Sequence, residues 1–358
     1  MTMVSPRRED PTPFRKEAPL PIAPGNSFMR LITARAVAAV VGGDAADVVA
    51  ALWPNDRTVQ RAASAPAMTS VTGWAKELAA ILVADALAAL GAASAGARLL
   101  RQGTVLNWDG AGLISCPGFV ADSANAGFVA EGAPIAVKQL TAGAGLMEPH
   151  KLASIAVLTR EMMESSNAET LIGDTLIRSA ALALDVVLFD SNAETAVRPE
   201  GLRHSIATLT ASNNSDGWLA AFEDLGALLN AVGTVGGAGP FVLIGNAGRV
   251  GTFTARLGRQ GEPNENILAS SAVGNDLIAV APAGLAVAMS PDPAIETSKA
   301  ATLHMEGSSP AAIVNGGSPA SPQRSVFQTD SIALKMRWPV TWVRRDARAV
   351  AWLTPTWK

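Results

Sequence analysis

Near the end of the chain, Ile332, Leu334, Met336, Trp338, Val340 and Trp342 alternate with residues that are mostly polar or small, within VFQTDSIALKMRWPVTWVRRDARAVAWLTPTWK (326–358). A period of two places all six on one side of a β-strand. Burying such side chains is worth about 1.5–3 kcal/mol each, so the face has to be covered. Few residues follow it. Either the strand closes a core laid down much earlier in the chain, or it pairs with another molecule.

A surface suited to cover it is signalled mid-chain. Ser166 and Glu169 stand in the Ser-x-x-Glu spacing of a capping box, in which each side chain satisfies a free backbone N–H at a helix start. Leu171, Ile172, Leu176, Ile177, Ala180, Leu184, Val187 and Leu188 then recur at three- and four-residue intervals. That period predicts an amphipathic helix of about 25 residues. The preceding KLASIAVLTREMM (151–163) reads as a strand running into a turn.

Around these two elements the organisation is mixed. Residues 1–26 carry six prolines and many charges and predict an extended arm, with none of the apolar run of a signal peptide. Residues 27–63 read as two short Ala/Val-rich helices split at Gly42–Gly43. A third helix is expected from Thr72 to Leu90, with Trp74, Leu78, Ile81 and Leu82 as its stripe and Gly91 as its stop. From Thr104 to Pro149 no helical period is sustained. Pieces such as GLISCPGF, AGFVAEGAP and AVKQLTAGAGLM predict strands joined by turns in a long excursion from the core. In residues 201–317, GWLAAFEDLGALLNAV predicts a helix, PFVLIGN a buried strand and DLIAVAPAGLAVAMS two strands broken at Pro282. Helices and strands do not alternate strictly, so the class expected is α+β and not a doubly wound sheet.

Composition narrows the functions. Of 358 residues 49% are apolar and only 16% charged, which permits a large core and leaves much of the surface to Ala, Gly, Ser and Thr. A surface of that kind suits a chain covered by partners. The net charge of −3 disfavours binding dominated by nucleic-acid phosphates. Cys116 is the single cysteine, so no internal disulfide forms and no cysteine-based zinc site. The most apolar window, Ala79–Ala97, is chiefly alanine with Asp85 inside it, a poor membrane span. The chain reads as soluble and intracellular.

Signals for catalysis are sparse. Gly245, Gly248 and Gly251 follow an apolar strand, but their Gly-x-x-Gly-x-x-Gly spacing departs from the Gly-x-Gly-x-x-Gly that lets a pyrophosphate approach, and Glu262 or Glu265 fits the ribose acid poorly. A nucleotide-dependent oxidoreductase is the reading that this run supports. No phosphate-cradling P-loop occurs. His150, His204 and His304 lack ligand-like spacing, and nothing pairs Glu131, Glu148, Glu161 or Glu164 for acid–base work. Trp338, Trp342 and Trp352 beside Arg337, Arg344, Arg345 and Arg348 offer a stacking platform for single-stranded nucleic acid, although the first two share a strand face and are more simply core.

Taken in order, FVAEGAPI (128–135), KLASIAVLTREMMESSNAETLIGDTLIRSAALALDVVLFDS (151–191), PEGLRHSIATLTA (199–211) and the closing segment make the chain, over residues 67–358, resemble the major capsid proteins of tailed bacteriophages with the HK97 fold. The resemblance implies an N-terminal arm or extension (1–66), a peripheral domain in three parts (67–103, 150–205 with its spine helix, and the terminal strands 326–358), an extended β-hairpin loop (104–149) and an axial domain (206–325). It implies a structural protein, not an enzyme, that assembles with itself into hexamers and pentamers of an icosahedral shell around phage DNA, which it touches non-specifically. Phe128, Glu131 and Lys138 would serve assembly from the extended loop. No cofactor, metal or catalytic residue is implied. A scaffolding protein or maturation protease and a portal are the further partners, the virion is the location after assembly in the bacterial cytoplasm, and no membrane is involved. Some members cross-link a loop lysine to an asparagine with help from a glutamate. Here Lys138 lies in the loop, but Asp330 and Arg337 occupy the other two positions, so no cross-link is expected. The family's long coiled-coil scaffolding segment also has no counterpart, the helices of 27–63 being too short. An encapsulin-like nanocompartment on the same fold is the alternative.

Overall fold

The computed structural model describes residues 30–60 except 32, 36, 39–42, 57 and 58; 87–108 except 89 and 92; 113–116, 118, 128, 129 and 131; 146–159; 168–256 except 237 and 238; 266–304 except 291–293; 314, 315, 318 and 319; and 323–357. Within these, the chain folds into helices α1 (Ala45–Leu52), α2 (Ala95–Gln102), α3 (Ala168–Leu188), α4 (Gly217–Gly236) and α5 (Ala247–Arg256). Strands β1 (Thr104–Asn107), β2 (Ile114–Ser115), β3 (Leu146–Met147), β4 (His150–Thr159), β5 (Val242–Gly245), β6 (Ile267–Ala269), β7 (Leu277–Val280), β8 (Leu285–Met289) and β9 (Ala294–Ser298) follow in chain order. Then come β10 (Thr302–His304), β11 (Val314–Asn315), β12 (Ser318–Pro319), β13 (Gln323–Ser325), β14 (Ser331–Arg344) and β15 (Val350–Leu353). The class is α+β.

The long terminal strand β14 organises one sheet. It pairs antiparallel with β4 from Ser331↔Thr159 to Val340↔His150. Its other edge is shared by β9, from Ala333↔Ser298 to Arg337↔Ala294, and β8, from Val340↔Met289 to Arg344↔Leu285. Beyond β8, β1 runs parallel. Ile332, Leu334, Met336, Trp338, Val340 and Trp342 are all buried, as the alternation predicts, and Arg337 on the opposite face is exposed. Helix α3 lies on the buried face through Ile177, Ala180, Ala181, Leu184 and Leu188, with Leu87, Leu90, Leu99 and Leu100 completing the layer. The opening alternative resolves in favour of a core built earlier in the chain.

A second sheet, in the order β15-β7-β5-β6, is buried on both sides. Ile244, Ile278 and Val350 join the core under α3, while Leu243, Leu277 and Ala351 face a second cluster with Leu228 and Val232 of α4. Continuous apolar runs such as VLIG are what a doubly covered strand requires.

Two crossings join the sheets, and they correct the expected boundaries. β7 belongs to the second sheet and β8, just past Pro282–Gly284, to the first. Likewise β14 lies in the first sheet and β15 in the second. The boundary at 325/326 therefore cuts across both sheets: β8 and β9 leave the span 206–325 to join β14, and β15 leaves the terminal segment to join β7. The crossings run side by side, with Ala281 N–H donating to Ala349 O (2.8 Å) and Arg345 N–H to Gly284 O (2.7 Å). Gly284 is needed there, because a Cβ would sit 2.3 Å from that of Ala349. Strand breakage at Pro282 was legible; the change of sheet needed long-range pairing to see.

Helix α2 was not anticipated. Ser94 caps it by accepting from Ala97 N–H, and Leu99 and Leu100 are buried. The two short helices expected over 27–63 are present in the described residues of 30–60, on either side of Gly43, with a core of Leu31, Ala34, Val49 and Val59 and a buried Arg30–Asp56 ion pair (2.9 Å). Most of the helix expected over 72–90 falls outside the described residues, as does Ser166 of the capping box. Leu87 and Leu90 are helical and fully buried.

Candidate assembly surfaces

The excursion over 104–149 leaves and rejoins the body at one place. β2 and β3 pair antiparallel, Ile114 opposite Met147 and Ser115 opposite Leu146. Trp108, Cys116 and Met147 pack this base against Ala286 and Ala288 of β8. Further along the excursion, Glu131 lies in a turn. Phe128 is fully exposed, and Val129 and Glu131 are exposed beside it. Lys138 lies outside the described residues.

Beside the base is a cleft of about 480 Å³ lined by Leu146, Glu148, Glu194, Thr195, Thr341 and Trp342 among others. His150 is buried behind it. Its Nε2–H faces Thr195 O at 3.0 Å, which leaves Nδ1 to accept from the Thr341 hydroxyl at 3.4 Å. Both ring nitrogens are thereby engaged in holding the 195–198 loop to β14. On the other side, Glu200 Oε1 accepts from Arg344 (2.6 Å) and from His204 Nδ1 (2.5 Å), and its backbone carbonyl accepts from Trp342 Nε1 (2.8 Å). These bonds fasten the segment after α3 to β14 and leave His150 and His204 in structural roles.

The remaining candidates are not brought together. Glu148 is at the cleft and Glu131 at the exposed turn, whereas Glu161 and Glu164 fall outside the described residues. Cys116 is buried, which pushes its thiol pKa up against the pull of Arg345, so it is a packing residue of the excursion base. His304 lies on β10, apart from the other two histidines. Among the described residues no group of three or more His, Cys, Asp or Glu is placed to hold a metal ion, and no helix is long and apolar enough to cross a membrane.

In the glycine run, Asn246 Oδ1 accepts from Arg249 N–H at the start of α5 and its amide donates to Gly274 O. A Cβ on Gly245 would press on Leu277 at 3.3 Å, and one on Gly251 would meet open space. Packing at the strand end explains the first glycine, and no phosphate cradle is outlined. The tryptophan platform does not form either: Trp338 and Trp342 are buried, while Trp352 donates to Ile206 O (2.9 Å) beneath the Arg203 guanidinium. Arg344 and Arg348 are paired with Glu200 and Asp346.

Exposed apolar surface is more plentiful. Leu182 and Val186 stand one turn apart on the outer side of α3, Ile155 on the outer face of β4, and Leu219 and Phe222 near the start of α4. Trp218 meets Phe222 edge to face beside a smaller cavity of about 300 Å³. A residue absent from the sequence expectations is Asp185. It lies on the buried side of α3 between Leu184 and Leu188 and is itself buried. An acid inside an apolar stripe was the available signal.

No family model matches the chain, and no curated protein does. Solved structures do. Mycobacterium phage Adephagia is similar at 13% identity over 73% of this chain and 90% of that one, with a TM-score of 0.45. A virus-like particle from Pyrococcus furiosus is similar at 15% identity over 77% and 99%, TM-score 0.42. The capsid of an empty GTA particle is similar at 13% identity over 72% and 89%, TM-score 0.41.

Proposed function

We propose that the chain is a shell subunit of the HK97 type, a structural protein that assembles with copies of itself. The observation that carries this reading is the placement of β14. One strand binds the sheet under α3, the excursion base and the crossing to the second sheet into one body, while Phe128 and Val129 of the excursion are exposed. Apolar side chains left in water suit a contact with another copy.

In this reading α3 is the spine of a peripheral unit formed around β14, and the sheet β15-β7-β5-β6 with α4 and α5 is the axial unit. Residues 116–145 reach over a neighbour, with Phe128, Glu131 and Lys138 in the contact. Subunits form hexamers and pentamers that close an icosahedral shell in the virion, around DNA held without sequence readout. Heterologous contacts that close by symmetry, each modest, sum to a stable shell. A scaffolding protein or maturation protease and a portal complete the partner set, and no catalytic step is assigned to the chain. With Asp330 and Arg337 where some members carry the asparagine and glutamate, the shell is held without covalent bonds between subunits. Boiling assembled particles in denaturant is expected to release a single subunit band, and a covalent ladder would contradict this.

Size-exclusion chromatography with negative-stain microscopy of the full chain tests the main reading. Capsomers or closed shells are expected; a stable monomer or dimer at assembly concentrations would refute it. Nucleic acid or protein inside purified shells then distinguishes a genome container from an encapsulin-like compartment.

A further inference from the structure

We infer that Asp185 pins the axial unit to the spine helix and so sets the angle between the two units, which in an assembled particle sets curvature. The size effect rests on the shell reading; the pin itself does not. Asp185 projects from α3 into the junction and its carboxylate accepts four hydrogen bonds. Oδ1 takes Ser94 Oγ–H at 2.5 Å and Gly96 N–H at 2.9 Å. Oδ2 takes Ala95 N–H at 3.2 Å and Ser270 Oγ–H at 2.8 Å. Every lone-pair direction of the carboxylate is thereby used.

Three elements meet on this one side chain. Ser94 and Gly96 belong to the start of α2, in the same body as α3. Ser270 follows β6 in the second sheet, and its N–H is held by Gly245 O at 3.0 Å. Both serines are N-caps: Ser94 Oγ accepts from Ala97 N–H (2.8 Å) and Ser270 Oγ from Ala272 N–H (3.3 Å). Each hydroxyl accepts from its own turn and gives its proton to Asp185. The start of α2 adds two backbone N–H groups to the same carboxylate, while the second sheet reaches it through Ser270 alone. The fit is close, since a Cβ on Gly96 would lie 2.8 Å from Asp185 Oδ1 and 2.7 Å from Leu188 Cδ2.

An uncharged isostere cannot replace the group. In Asp185→Asn one oxygen becomes an NH2 that faces a backbone N–H, either Gly96 or Ala95, and a serine hydroxyl, so the backbone bond is lost and the hydroxyl has to turn from donor to acceptor. Ser270→Ala removes the link to the second sheet together with its cap on Ala272 N–H, and Ser94→Ala a link inside the first body together with its cap on Ala97 N–H, whereas Asp185→Asn leaves both caps in place. This contrast separates a pin between units from a merely buried acid.

The test uses full-length wild type and these three variants, each checked for native circular dichroism, with hydrogen exchange on the subunit and diameter distributions of assembled particles. In Ser270→Ala, exchange over 270–273 should rise about tenfold, the equivalent of one net hydrogen bond. Diameters should broaden, with open or mis-sized shells. Asp185→Asn should show the same at both junctions. Ser94→Ala should raise exchange at 95–97 while diameters stay narrow. Unchanged exchange at 270–273 in Asp185→Asn, where the Ser270 cap is intact, overturns the pin, and faster exchange with wild-type diameters overturns its role in curvature. A wild-type chain that forms no particles overturns the shell reading and the size effect together, and the exchange comparison then decides the pin by itself.

Discussion

The two sheets of this protein are built to different rules. In the sheet around β14 one face is buried under α3; the other is covered by the excursion base at β8 and open along β4 and β9, where it carries Lys335 paired with Glu296, an exposed Arg337 and an exposed Ile155. In the sheet β15-β7-β5-β6 the central strands are covered on both faces, by the core under α3 on one side and α4 on the other. A partly open sheet offers a surface to solvent or to a partner, whereas a two-sided sheet serves to join its neighbours. The former tolerates change where its outer face is open; the central strands of the latter do not.

Substitutions at matched positions can break this contrast. Trp338→Ala should have the largest effect. The side chain is fully buried and donates to Ser290 O at 2.7 Å, so its removal should destabilise the subunit by about 3–5 kcal/mol in urea unfolding. Ile244→Ala in the second sheet should cost about 2–4 kcal/mol by the same measurement, because both of its sides are packed. If Ile244→Ala proves neutral, the second sheet is not the doubly covered joint described.

Asp346 sharpens the comparison at the crossing between the sheets. It caps the turn into β15 by accepting from Arg348 N–H at 2.9 Å and holds the Arg348 guanidinium. The hydrogen bond from Arg348 keeps its carboxyl below the usual range, against the opposing effect of burial. A depressed folded-state pKa contributes stability that is present above the unfolded pKa and lost as pH falls through the folded one. Asp346→Ala should therefore cost about 1 kcal/mol at neutral pH, with the difference from wild type shrinking on acidification below about pH 4. A difference that grows in acid would contradict the assignment. The smallest effect belongs to Ile155→Lys on the open face, expected within about 0.5 kcal/mol of wild type in the isolated subunit.

How far these rules were legible follows from their range. The period-two face of 332–342 and the three-to-four period of 171–188 are local; the first names a buried face, and in the second Ile177, Ala180, Leu184 and Leu188 are buried, while the side chains of Leu171, Ile172 and Leu176 lie outside the description. The apolar run of β5 was readable as a fully covered strand for the same reason. Which sheet β8, β9 and β15 enter depends on pairings between residues distant in the chain, such as Thr104 with Ala286 and Val350 with Val280, and no local period carries that. Helix α2 was missed because AGARLLRQ is short and its start is held by a carboxylate from another helix. The junction at Asp185 was visible only as an acid in the wrong place. Of the proposed assembly residues, Phe128 and Glu131 stand exposed, and Lys138 lies outside the described residues.

Hydrogen exchange over residues 116–145, compared between dissociated subunits and purified assemblies, tests the central claim most directly. The account predicts rapid exchange in the free subunit and strong protection in the assembly, centred on 128–131. Equal protection in both states, meaning a segment already satisfied within its own chain, would contradict it.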